Sequence, residues 1–265
     1  MTTPEALAHI RSLTQARLTL GSRGRSADTA TTLRFALDHA QARAAVLSEL
    51  DVPRIAANLG QAGLAHHVVT SAADTRDTFV RRPDLGRLLP EGAAESLRGD
   101  GPVDVALVLG DGLSAIAAAL NGAAFMTALA TRLSNCGLSH GPVILARQAR
   151  VALGDGIAQA LQADIVVMAL GERPGLSAAD SLGVYITHQT GHQTGHQTGH
   201  QTGHQTGQTT PDSTRNCLSN IRAAGLSVDE AAAQALTLIL AMGDIGQSGV
   251  ALSKALAARA LVKGD

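Results

Sequence analysis

A chain of 265 residues, 45% of them hydrophobic, is long enough to bury a sizeable core, yet it holds only three Phe, one Tyr and no Trp. Its interior must be built from Ala, Leu, Val and Ile, which suits helices packed closely on a sheet. The formal charge of −1 and the shortage of aromatic platforms argue against a nucleic-acid partner, and two cysteines are too few for a disulfide framework.

The N-terminus lacks a charged segment followed by an apolar signal core, and no apolar run reads as approaching the ~20 residues that cross a bilayer. A soluble, cytoplasmic protein without a membrane partner is expected. Thr3, Pro4 and Glu5 read as the start of a short helix bearing Leu7, Ile10 and Leu13 at helical spacing. A loop over Gly21–Ser26 separates it from a longer helical stripe of Leu33, Leu37, Ala40, Ala44 and Leu47, and Pro53 begins another helix carrying Ile55 and Leu59. The charges Arg81, Arg82, Asp84 and Arg87 around Pro83 read as a solvated face or a subunit contact. Residues 1–100 are therefore expected to form a mainly helical N-terminal region.

From about Gly101 the pattern alternates: strand Val103–Leu109, helix Ser114–Leu133, strand Pro142–Ala146, helix Gly156–Leu161, then a strand from Ile165. This predicts βαβ units and places residues 101–265 in the α/β class, as a Rossmann-like parallel sheet flanked by helices. Gly110-Asp111-Gly112-Leu113-Ser114 is a glycine turn leading into a helix, but Ala115 stands where a third glycine would complete a dinucleotide fingerprint. Helix capping is the role expected of Ser114 or Asp111. In Ile165–Leu170 the apolar residues do not alternate with polar ones, which is how a strand covered on both faces reads. Glu172 and Arg173 follow at its carboxyl end, where open α/β sheets bind ligands. They fit either a ligand contact or a solvated turn pair.

Leu182–Thr187 reads as another strand. Beyond it His-Gln-Thr-Gly recurs, placing His188, His192, His196, His200 and His204 at a period of four. A glycine in every repeat opposes a stable helix, so the segment 188–207 reads as a flexible polar loop with only adventitious metal affinity. Ser227-Val228-Asp229-Glu230 is a capping box opening a helix through Met242, and a last helix runs from Val250 to Leu261. Cys217 is a lone thiol with no sequence-local triad partners.

Taken together, RRPDLGRLL (Arg81–Leu89), GDGLS (Gly110–Ser114), GERPGLSAADSLGVY (Gly171–Tyr185) and RNCLSNI (Arg215–Ile221) resemble the small (light) subunit of ethanolamine ammonia-lyase over nearly the whole chain. The resemblance implies an adenosylcobalamin-dependent lyase that converts ethanolamine to acetaldehyde and ammonia by radical elimination. It implies that catalytic groups lie in a β/α-barrel large subunit, within a heterododecamer of six large and six small chains. It also implies cobalamin contacts at Val151, Glu172 and Cys217, and none of these three is a catalytic residue. Some members carry a longer N-terminal extension associated with packaging into a bacterial microcompartment, and this sequence begins without one, which leads us to expect a diffuse cytoplasmic location.

The residue chemistry is compatible with that implication. A corrin is ringed by neutral amides, so it needs acceptors such as Glu172 and small apolar contacts such as Val151 and Cys217 more than positive charge. The chain has no Asp-x-His-x-x-Gly motif, so cobalamin is expected base-on. Two other readings stand beside this one. A histidine-rich metal-binding α/β protein rests on the repeat alone, and a free-standing α/β enzyme would need an acid–base or nucleophilic constellation of its own.

Overall fold

The computed structural model describes residues 3–13, 29–99, 101–175, 178–189 and 210–262. The loop expected at 21–26 and the repeat beyond Gln189 lie outside them. The apolar run opening at Ile165 forms β4 (Ile165–Gly171), all seven residues of which are buried. Ahead of it lie β1 (His66–Thr70), β2 (Val105–Gly110) and β3 (Val143–Arg147); after it come β5 (Leu182–His188) and β6 (Asn216–Ile221). The strands form one sheet in the order β1-β3-β2-β4-β5-β6, so β4 is an interior strand, as its composition requires.

β1, β3, β2 and β4 run parallel. β5 is antiparallel to β4, and β6 antiparallel to β5. The α/β class stands, but the sheet is mixed where a parallel one was expected. The cause is the β4–β5 connection: its described residues hold a Gly175–Ala178 bridge and no helix, and without a crossover helix the chain must return antiparallel. β1 is contributed by the first hundred residues, so that region supplies an edge of the sheet as well as helices.

One face of the sheet is covered by α3 (Val52–Gln61), α7 (Ala123–Asn135) and α9 (Val228–Ile245). Ile55, Leu59, Phe125, Met126, Leu129 and Leu133 are wholly buried there against Leu107, Leu109, Val167 and Val184. Ser227 and Glu230 cap α9 reciprocally, as the sequence predicts. Ala115–Asn135, which comprises α6 (Ala115–Ala117), a π-turn and α7, is long and apolar enough by composition to cross a membrane, contrary to the sequence expectation. The apolar side chains named above face the sheet, which explains its composition in a folded core. The π-turn ends at Gly122, where a Cβ would lie 2.5 Å from a Leu109 methyl; only glycine lets the helix sit this close to β2.

The opposite face is covered by α5 (Ala93–Leu97) and α8 (Leu153–Ala160), which pack on β2, β3 and β4. Outside the two layers lie α1 (Thr3–Ser12), α2 (Thr29–Leu47), α4 (Arg76–Arg81) and α10 (Gly249–Val262). The helical stripe of α2 is real, but it does not face the core: Leu33 is 65% and Leu37 52% exposed, and Ala45 is its buried residue.

Candidate functional site

The parallel strands deliver their carboxyl ends to one edge, and glycines bring the loops there into contact. A Cβ on Gly171 would lie 1.8 Å from the Ser114 carbonyl oxygen, and one on Gly112 2.2 Å from the Gly171 carbonyl oxygen. The GDGLS turn therefore packs backbone against backbone on the end of β4, with Leu113 N–H donating to the Gly171 carbonyl at 2.9 Å. Ser114 caps the following helix by accepting from Ala117 N–H, as expected. Asp111 does not. It is fully buried, accepts from the Gln148 and Ala149 N–H groups at 2.9 Å each, and pairs with Arg76 at 3.1 Å. Arg76 also donates to the carbonyls of Val46 and Gly112. Its guanidinium supplies the charge that a carboxylate needs in so dry a place, so the pair ties the ends of β2 and β3 to α4.

The RRPDLGRLL block buttresses the loop after β3. Gly86 accepts from Arg150 N–H at 2.8 Å, and a Cβ on Gly86 would lie 2.9 Å from both Arg150 Cγ and the Phe79 ring. Arg82 and Asp84 of the same block form an exposed ion pair, which fits either a solvated face or a subunit contact. The loop leads through Val151 into α8, whose Gly154 sits over β4: a Cβ there would lie 3.3 Å from Val166 and 3.5 Å from Met168. Asp155, in the first turn of α8, pairs with Arg215 at 2.6 Å, and Arg215 also donates to Thr187. This fastens the start of α8 to the lead-in of β6. Val151 is thereby held against the same face of the sheet as Met168 and Tyr185.

On that face the helical cover stops at β4. Register places Met168 beside Tyr185 and Tyr185 beside Cys217, so the exposed β6 thiol stands next to the half-buried phenol of β5. Burial, then Cys217 and Glu172, push the Tyr185 phenol up to about 12. Burial and Glu172 also raise the Cys217 thiol, which keeps it protonated at neutral pH. A protonated thiol without a base beside it is a soft, small contact surface and not a nucleophile.

Glu172, just past β4, lies over β5. A Cβ on Gly183 would sit 2.8 Å from Glu172 Oε1, so the glycine makes room for the carboxylate. Its Oε2 accepts from Ser181 Oγ at 2.5 Å and from Asn220 N–H at 3.4 Å. Oε1 has no donor among the described residues. Arg173, exposed, makes no ion pair with Glu172, so the solvated turn pair is not what forms. Val151, Glu172 and Cys217 thus share one face of the sheet, around Tyr185. Sequence reading missed Tyr185, although the alternation of Leu182, Val184 and Ile186 with Gly183, Tyr185 and Thr187 was there to place it on the other face. Of the repeat histidines only His188 is described; it ends β5, and burial lowers its pKa. Among the described residues no group of three or more His, Cys, Asp or Glu could hold a metal.

Fold and site together define an α/β protein with a partly open sheet face that presents a carboxylate acceptor and small apolar contacts. No acid–base or nucleophilic pair assembles on that face among the described residues. The family model for the ethanolamine ammonia-lyase light chain (EutC) matches residues 4–253. A protein of Bradyrhizobium diazoefficiens named ethanolamine ammonia-lyase small subunit is 45% identical over 226 residues, covering 84% of this chain and 80% of its own. Proteins of the same name from Xanthomonas campestris pv. campestris and Rhodopseudomonas palustris are 43% and 41% identical, over 87% and 94% of this chain and 81% and 90% of theirs. The chain belongs to the ethanolamine ammonia-lyase light-chain family.

Proposed function

We infer that this chain serves as the small subunit of an ethanolamine ammonia-lyase and forms one wall of an adenosylcobalamin site completed by a large subunit. The observation that carries this reading is the uncovered half-face around Tyr185, with the unshared Oε1 of Glu172 above it. Neutral amides at the rim of a corrin match that acceptor, and Val151, Tyr185 and Cys217 supply the apolar contact. When bound, the cofactor supplies the organic radical that starts the elimination of ammonia from ethanolamine.

This chain's own residues do the holding. Ser181 and Asn220 fix Glu172 through Oε2, which leaves Oε1, seated over Gly183, without a donor among the described residues and able to accept one from a ligand with little further loss of side-chain freedom. Asp155 and Arg215 keep Val151 and the β6 thiol on a common surface. The thiol stays protonated, so it adds no charge beside the neutral amide rim. Substrate binding and chemistry fall to the large subunit.

The test is reconstitution. Alone, the chain should release no ammonia from ethanolamine. Mixed with a cognate large subunit and adenosylcobalamin, it should restore release. In that complex Glu172→Gln should weaken cobalamin binding by about 1–3 kcal/mol, roughly 5- to 150-fold, with a smaller change in kcat at saturating cofactor. Deamination by the isolated chain, or a Cys217→Ser variant that loses turnover at unchanged cofactor affinity, would overturn this division of labour.

A further inference from the structure

Beside Val151 the structure gathers positive charge that neither the fold nor the site described above uses. The wholly buried ring of Phe79 carries two guanidinium groups, with Arg76 at 4.7 Å and Arg150 at 4.3 Å from its centroid. Arg76 is neutralised by Asp111. Among the described residues Arg150 has no carboxylate partner and its buried Nε has no hydrogen-bond partner, while Nη2 donates to the Phe79 carbonyl at a long 3.4 Å. A buried donor left unmade is costly, and it is retained where something else meets it.

The side chain is also held in place. Gly86 and Phe79 clamp its stem, and Gly86 accepts from its backbone N–H. Arg87 and Arg173 add positive charge from neighbouring turns. After burial, Arg76, Arg87 and Arg173 in that order press the Arg150 guanidinium downward, with only Asp111 opposing. Three of these four guanidinium groups lack a carboxylate of their own among the described residues, so the cluster calls for an anion.

We propose that Arg150, supported by Arg87 and Arg173, is an anion subsite that receives the phosphodiester of the cobalamin nucleotide loop. This rests on the reading of the open face as a cobalamin wall. Cobalamin carries one anionic group among many neutral amides. A site that offers an acceptor at Glu172 and fixed cations next to Val151 matches that distribution. Arginine presents donors in a planar fork suited to two phosphate oxygens, and at Arg150 the fork is already immobilised.

The experiment measures the affinity of the assembled two-subunit complex for three corrinoids: cobalamin, cobinamide phosphate, which keeps the phosphate but lacks the base, and cobinamide, which lacks both. Arg150→Met should weaken the first two by about 10- to 100-fold and leave cobinamide unchanged. Arg150→Lys should recover part of the loss. Arg173→Met, at an exposed position that folding does not depend on, should show the same selectivity at smaller size. Equal losses for all three corrinoids would assign Arg150 a purely structural role. No loss, or weakened large-subunit association in sedimentation without corrinoid selectivity, would mean that the anion is absent or is a carboxylate of the partner. A wild-type complex that binds none of the three would overturn the cobalamin reading together with this inference, whereas binding of all three without selectivity in the variants would overturn this inference alone.

Discussion

The two faces of the sheet are finished differently. The face under α3, α7 and α9 is roofed from β3 through β5 and on to Ile221 of β6, and its apolar side chains are buried over that span, whereas Val68 of the edge strand β1 is half-exposed. The other is roofed by α5 and α8 only as far as β4; beyond it Tyr185 is half-buried and Cys217 exposed. Strand β5 belongs to both regimes: Leu182, Val184 and Ile186 are wholly buried on the first face, while Gly183 and Tyr185 look out on the second. One strand thus serves as core on one side and, in the proposed reading, as binding surface on the other. A two-residue period lets stability and function be varied separately.

The largest expected effect comes from the hinge between the two regimes. Asp111→Ala leaves Arg76 buried without its carboxylate and strands two backbone N–H groups, so it should destabilise the fold by about 3–5 kcal/mol in denaturant unfolding. A loss below about 1 kcal/mol would show that the pair is not what joins the ends of β2 and β3 to α4.

Smaller and more specific is Gly183→Ala on the open side. The new Cβ would displace the Glu172 carboxylate, the far end of a flexible side chain, so fold stability should shift by less than ~1 kcal/mol. Cobalamin affinity of the assembled complex should fall, by no more than in Glu172→Gln. The double variant should lose no more than the larger single one, because both act through the same carboxylate. Additive losses would separate Gly183 from Glu172.

How much of this contrast was legible in the sequence depends on the range over which each part is set. The run Ile165–Leu170 announces an interior strand because burial on both faces removes polar residues locally. The α9 cap is equally local, with donor and acceptor three residues apart. The direction of β5 was not legible, since it depends on whether the preceding connection makes a helix. Nor was β6: NCLSNI is an edge strand in which Cys217, Ser219 and Asn220 are exposed and Asn216 accepts from the Gly249 N–H, so it lacks the apolar alternation of a strand. The α2 stripe showed helical period but could not show that nothing described covers it.

In the site, the place of Glu172 followed from its position after a central strand. Its neighbours did not. Tyr185 meets Cys217 through strand register across 32 residues of chain, counting from 185 to 217, and Arg76 finds Asp111 across a gap that no spacing rule spans.

On the closed side, Ser227→Ala removes the cap of α9 and should cost about 1 kcal/mol of stability. Cobalamin affinity of the complex should not change. If it did, α9 would be coupled to the open face through β5, and the separation of the two faces would fail.

The smallest effect is a titration that reports the open side alone. Tyr185 and Cys217 both have folded pKa values raised above their ordinary ones of 10.0 and 9.0, chiefly by burial, so folding favours their protonated forms. Such groups contribute stability that is fully present below the unfolded value and is lost as pH rises through the folded one. For Tyr185 the window runs from 10.0 to about 12. Tyr185→Phe has no proton to lose there. The difference in thermal midpoint between wild type and this variant should therefore be constant up to about pH 9 and move against the wild type as pH rises into that window. Both proteins are compared in a Cys217→Ser background, because that thiol is coupled to the phenol, so that titration of the rest of the chain is common to both and cancels in the difference. A difference that stayed flat to pH 12 would mean that the phenol is solvated, and that the half-face around it is not the dry surface on which a cofactor wall depends.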